Sequence, residues 1–99
     1  MAINDTGIVA TWRRESDIFL SSGQVPERRL GTGRDPAIAT SGVHQDIAWS
    51  SSAGIMLVRG SAQLVPVAPG RFPAILALKE KTILAWEDQG NVLVRTIPR

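Results

Sequence analysis

The chain has 99 residues, 43% apolar and 20% charged, which fits a single globular domain over residues 1–99 and excludes a highly charged disordered segment. Its net charge of +2 comes from basic residues that are scattered or next to acids (Glu15 follows Arg13 and Arg14, Glu27 precedes Arg28 and Arg29), so it lacks the concentrated basic face of a nucleic-acid binder, and nucleic acid ranks behind other partners. With no Cys and one His, neither disulfides, a metal site nor a cofactor is expected, and no apolar run approaches the ~18 residues of a membrane helix.

The start, Met1 to Asp5, shows no basic region followed by an apolar run, so no signal peptide is expected and no compartment is indicated. Self-comparison is more informative. Trp12, Trp49 and Trp86 recur every 37 residues. Ile18, Ile55 and Val92 keep the same spacing, as do Leu20, Leu57 and Val94, and Ala10, Ile47 and Leu84. Gly33-Arg34-x-Pro36-Ala37-Ile38 matches Gly70-Arg71-x-Pro73-Ala74-Ile75 without a gap. The repeats run approximately 1–32, 33–69 and 70–99.

The middle repeat shows what one period holds. Gly33 to Asp35 reads as a turn, Pro36 to Thr40 as a short strand, and Ser41-Gly42 as a second turn. Asp46 to Ser50 is a strand whose alternate residues Ile47 and Trp49 share one face. Ser51 to Gly54 turns again, Ile55 to Val58 is strongly apolar, and Gly60-Ser61 is a fourth turn. Gln63 to Val67 alternates and carries Pro66, which lacks a ladder donor and belongs on an edge. Ala74 to Gln89 is long enough for a helix, but its repeat partner holds Ser41-Gly42, so Lys79-Glu80-Lys81 is a hairpin turn. The predicted class is therefore all-β, with four short antiparallel strands per repeat, the signature of a β-propeller blade. The Trp strand comes second, and the large rings of Trp12, Trp49 and Trp86 fill the space between blades, with Ile18, Ile55 and Val92 in the same packing. Met1 to Ile3 aligns with the end of a first strand, and Ile97 to Arg99 with the turn after a third.

At these residues the sequence resembles the sialidase-type, BNR-repeat-like propellers. The resemblance lies in Arg71-Phe72-Pro73-Ala74-Ile75 followed by Thr82 to Glu87, and more weakly in Arg34-Asp35-Pro36-Ala37-Ile38 followed by Asp46 to Ser50. Asp88-Gln89-Gly90 is a degenerate remnant of that family's Asp-box. The resemblance implies that Arg71, and next Arg34, bind the carboxylate of an acidic sugar, a task suited to a planar guanidinium fork. It also implies a Tyr nucleophile, and the chain has no Tyr. Asp46, Glu87 and Asp88 lie near hairpins, where charges are normally solvated, and His44 stands in a turn-like segment without a partner motif. No catalytic residue is assigned.

About three blades cannot close a ring, and each open end would expose an apolar face. The expected partner is therefore the chain itself, two copies giving about six blades and three giving about nine, or else the remainder of a longer propeller. The expected function is a non-catalytic, self-assembling module that binds carbohydrate or another small polar ligand near the central channel. The alternatives are a sialidase-like glycoside hydrolase fragment with its site shared between chains, and weak binding of nucleic acid.

Overall fold

In the computed structural model, which describes residues 2–4, 7–22, 26–60 and 64–99, alternating apolar segments become strands and the Gly- and Ser-rich interruptions become turns. Sheet I comprises β1 (Ala2–Asn4), β2 (Gly7–Arg14), β3 (Asp17–Ser21) and β4 (Arg28–Thr32). Sheet II comprises β5 (Arg34–Ser41), β6 (His44–Ser51), β7 (Gly54–Arg59) and β8 (Val65–Ala68). Sheet III comprises β9 (Arg71–Ala77), β10 (Lys81–Asp88) and β11 (Asn91–Pro98). All pairings are antiparallel, each strand lies beside its neighbour in sequence, and the described residues contain no helix.

The period persists in the backbone. Shifted by one repeat, β2 has the span of β6, and shifted by two it has the span of β10. The turns repeat as well. Glu15 and Gln89, two periods apart, both adopt positive φ, and so do Asp35 and Phe72 at the entry to β5 and β9. Those last two interrupt the ladder, because register shifts between Arg34 and Ala37 in sheet II and between Ala85 and Glu87 in sheet III. A non-glycine residue in this region costs of order 1–2 kcal/mol, so the bulge is held by its surroundings. One visible tie is the Phe72 backbone N–H, which donates to Ser50 Oγ at 3.0 Å.

Direct cross-strand pairs share a face, so the ladder assigns each face of each sheet. In sheet II, Ile47 faces Val58 and Trp49 faces Met56 on the front; Ala48 faces Leu57 and Ser50 faces Ile55 on the back. The front of sheet II packs on the back of sheet I: Ile47, Trp49 and Val58 form one buried cluster with Ile18 and Leu20. The front of sheet III packs on the back of sheet II in the same way, with Leu84 and Trp86 against Ala48, Ile55 and Leu57. Each fully buried large side chain contributes about 1.5–3 kcal/mol. The sheets approach each other mainly along their first two strands, β1 with β5, β5 with β9, β2 with β5 and β6 with β9.

Several expectations need correction. β11 runs on through Pro98, so Ile97 and Pro98 extend the third strand where a turn was expected; Ile97 pairs with Thr82 and Pro98 with Lys81. His44 opens β6 instead of sitting in the turn, because the hairpin tightens to Gly42-Val43. The fourth strand of sheet II begins at Val65, with Pro66 on the sheet's edge as expected; Gln63 and Ser61, which were assigned to that strand and its turn, lie outside the described residues. Arg14 pairs with Glu27 and Arg29 with Asp17, instead of with the acids next to them in sequence.

Candidate functional site

Arg34 and Arg71 occupy equivalent positions, each after a glycine and at the start of a first strand. The glycines are required by close approach. A Cβ at Gly33 would lie 2.5 Å from Trp49 Cδ1, and one at Gly70 would lie 2.7 Å from the Glu87 carbonyl oxygen and run into the Trp86 ring. The two arginines then part company. Arg71 is bound to Glu87 (3.2 Å) and lies over the Phe72 ring at 5.2 Å. The repeat places Ser50 where Glu87 stands, so Arg34 has no such carboxylate.

Arg34 instead borders a shallow recess of about 450 Å³ that also involves Arg13, Glu15, Ser16, Ser50, Ser51 and Ser52. Among the described residues neither Arg13 nor Arg34 has an ion-pair partner. Ser50 and Ser51 are already engaged, Ser50 by Phe72 and Ser51 by Ala53 and Gly54. Two guanidinium groups beside hydroxyls suit an anionic, hydroxyl-bearing ligand, and Glu15 opposes it.

The other arrangement of note is the pair of faces left open at the two ends of the stack. At one end Trp12 is half-buried and stacks on Phe19 (6.1 Å between centroids, 18° between planes), with Arg14 over the same Phe ring at 4.7 Å. At the other end the back of sheet III exposes Val92 (76%), Val94 (66%) and Leu76 (52%). Ile18 and Ile55, equivalent to Val92, are fully buried in the two internal joints, as is Trp49. Each internal joint also carries an indole hydrogen bond: Trp49 Nε1 donates to the Thr32 carbonyl at 3.2 Å, and Trp86 Nε1 to the Pro69 carbonyl at 3.1 Å.

Sequence reasoning missed a polar lock in the second joint. Asp46, expected to be solvated, is fully buried. It accepts two hydrogen bonds from Arg99 (Nη1 to Oδ1 2.8 Å, Nη2 to Oδ2 2.6 Å) and one from Thr82 (2.8 Å). Arg99 also donates through Nε to the Leu78 carbonyl at 2.9 Å. The hydrogen bonds to Asp46 raise the Arg99 pKa, against the opposing effect of burial. Arg59 adds donors to the carbonyls of Ile97 and Pro98 (3.3 and 2.8 Å). The signal was present in the repeat: Asp46 stands where the other copies have Val9 and Ile83, a charge at an apolar position. The first joint shows the complement. Gln45, equivalent to Thr82, has a buried Nε2 without a partner among the described residues, and the residue in Asp46's place there is Val9.

Glu87 is held by Arg71, and Asp46 by Arg99 and Thr82, so neither is a free carboxylate. Among the described residues no three His, Asp or Glu side chains converge as metal ligands. No family model matches the chain, and neither the curated proteins nor the solved structures include a match.

Proposed function

We propose that the chain is a non-catalytic β-propeller module of the sialidase-like type that assembles head to tail with copies of itself, two copies making a ring of six sheets. One observation carries the reading. The two internal joints are the same joint, a Trp-bearing front face on an Ile/Leu-bearing back face, and each end of the stack presents one unmatched half of it. Trp12 is the front half, and Val92 and Val94 are the back half. A heterologous contact of this kind generates a ring when the rotation closes. Close approach of the first strands supports a wedge arrangement about an axis, because the sheets converge on that side.

Light scattering and native mass spectrometry on the full chain test this. Two chains per particle are expected, with Trp12→Ala and Val94→Asp each giving a folded monomer. A wild-type chain that stays monomeric refutes self-assembly and leaves the same joint to the remainder of a longer propeller.

The ligand half of the proposal rests on the recess beside Arg34. Its two guanidinium groups, without an ion-pair partner among the described residues, favour an acidic sugar, bound through the carboxylate. Thermal shift with sialic and glucuronic acid should show stabilisation that Arg34→Ala removes and Arg71→Ala, whose guanidinium is already held by Glu87, leaves in place. Absence of any shift reduces the function to assembly. No observation favours the hydrolase alternative or nucleic-acid binding.

A further inference from the structure

The repeat supplies an internal control for the recess beside Arg34. The position of Arg13 is held by Ser50 in the second copy and by Glu87 in the third, and the position of Glu15 by Ser52 and Gln89. The second joint therefore has Ser50, Ser52 and Arg71 where the first has Arg13, Glu15 and Arg34. The charge of Arg71 is met by Glu87. The three charges of the first joint border one recess of about 450 Å³, and among the described residues none of them forms an ion pair with another or with any other group.

The backbone sets these charges on both sides of the joint. Arg13 stands near the end of β2 and Glu15 in the turn that follows, both in sheet I, while Arg34 opens β5 in sheet II. The Gly33 N–H donates to the Ser16 carbonyl at 2.9 Å, which ties the turn bearing Glu15 to the residue before Arg34. Glu15 has φ 56°, and Gln89, its equivalent two repeats on, has φ 52°. The same backbone thus carries a glutamine in the third copy, and what sets Glu15 apart is its charge.

Two cations and one anion around a single cavity are complementary to a ligand of both signs. A purely anionic sugar satisfies the guanidinium groups and is repelled by Glu15. A sugar with an ammonium as well as a carboxylate gives Glu15 a partner too, and charge-assisted hydrogen bonds are the stronger kind. The hydroxyls of Ser16 and Ser52 are exposed and unengaged among the described residues, so they are free to meet ring hydroxyls. The volume falls in the ~300–1,000 Å³ range of small-molecule sites, which suits a monosaccharide.

We propose that this recess is a site for a zwitterionic amino sugar acid, and that Glu15 is the residue that selects for the ammonium. The proposal rests on the acidic-sugar reading of the recess and narrows it. Arg13 and Arg34 receive the carboxylate, and Glu15 accepts hydrogen bonds from the ammonium.

The test is a pair of probes that differ in one charge. Muramic acid bears a carboxylate and a free amine; N-acetylmuramic acid bears the same carboxylate with the amine blocked. Near pH 6 the carboxyl is ionised and the free amine is protonated. Each is titrated into the full chain, and Kd is read by NMR from the backbone amide shifts of Ser16, Gly33 and Ser52. Muramic acid should bind about two- to fivefold more tightly, the worth of one exposed ion pair. Glu15→Gln should bring the two affinities together by weakening muramic acid, and Arg34→Ala should weaken both sugars. Salt gives a measure that needs no variant: between about 0.01 M and about 1 M the ratio of the two affinities should fall towards one, because an exposed pair is screened. The comparison therefore stands even if Glu15→Gln fails to fold. Equal affinities on the wild-type chain, tighter binding of the N-acetyl sugar, or a preference that survives Glu15→Gln overturns the ammonium site and leaves the acidic-sugar reading in place. Failure of both sugars to move the three amides overturns both.

Discussion

Asp46→Val removes the acceptor of three hydrogen bonds across the joint between sheets II and III. The Thr82 hydroxyl then stays fully buried without its partner, and the Arg99 guanidinium, 15% exposed, keeps its charge without a counter-ion. Removing one member of a buried ion pair costs ~3–5 kcal/mol. Arg99 retains its bond to the Leu78 carbonyl and has some access to water, which places the loss near the lower figure, about 3 kcal/mol. The triple replacement Asp46→Val, Thr82→Val, Arg99→Leu removes the donors with the acceptor, and no buried charge is left behind. Val9 and Ile83 hold the equivalent position in the other two repeats, so an apolar residue fits the backbone there. The triple variant should therefore lie within about 1 kcal/mol of wild type. Urea unfolding followed by tryptophan fluorescence measures both. A single variant that loses less than about 1 kcal/mol, or a triple variant that loses as much as the single, refutes the account of the lock as a matched set of charges and acceptors.

Gln45 predicts a gain: Gln45→Met removes the buried Nε2 that lacks a partner among the described residues and should stabilise the fold by about 1 kcal/mol in the same assay. Trp49→Ala should cost ~3–5 kcal/mol or prevent folding, while Trp12→Ala, at an open face, should cost well under half of that in the monomer, a contrast that thermal denaturation resolves. Gly70→Ala forces a methyl against the Trp86 ring and the Glu87 carbonyl and should cost ~2–4 kcal/mol, whereas Gly60→Ala, with nothing within 4 Å, pays only for its left-handed backbone, about 1 kcal/mol. Glu27 has its pKa lowered from the ordinary 4.5, first by the hydrogen bond from Arg14. Because the folded value is the lower one, its contribution is present above 4.5 and fades as pH falls below that. The stability difference between wild type and Glu27→Gln, from urea midpoints across pH, should shrink in that direction.

The all-β class and the strand order within each sheet were legible because the repeat aligns three imperfect copies of one pattern. A turn that is ambiguous in one copy is explicit in another: Lys79-Glu80 could sit mid-helix, but Ser41-Gly42 cannot. The faces followed from alternation, which is why Ile47 and Trp49 could be placed together. What failed to show was anything set by cross-joint partners. The Asp46–Arg99 pair spans 53 residues, and no local rule links a β-strand aspartate to an arginine that far along. Arg14 with Glu27 and Arg29 with Asp17 did not show because their partners lie 13 and 12 residues away and are brought close only when β2, β3 and β4 fold into one sheet. The difference between Arg34 and Arg71 was readable in principle, since the repeat aligns Ser50 with Glu87.

The departures from the repeat bear on how copies would meet. One position of each back face lines up with one position of the following front face. In the first joint these are Val9 and Gln45, and in the second Asp46 and Thr82. The first pair is mismatched, with the Gln45 Nε2 unpartnered among the described residues; the second is matched by a hydrogen bond. A copy docked out of turn, between sheets II and III, would leave Asp46 in a buried joint without Arg99 and Thr82, a penalty of several kcal/mol. The same residue that secures the second joint therefore favours joining through sheet III and against insertion between sheets II and III.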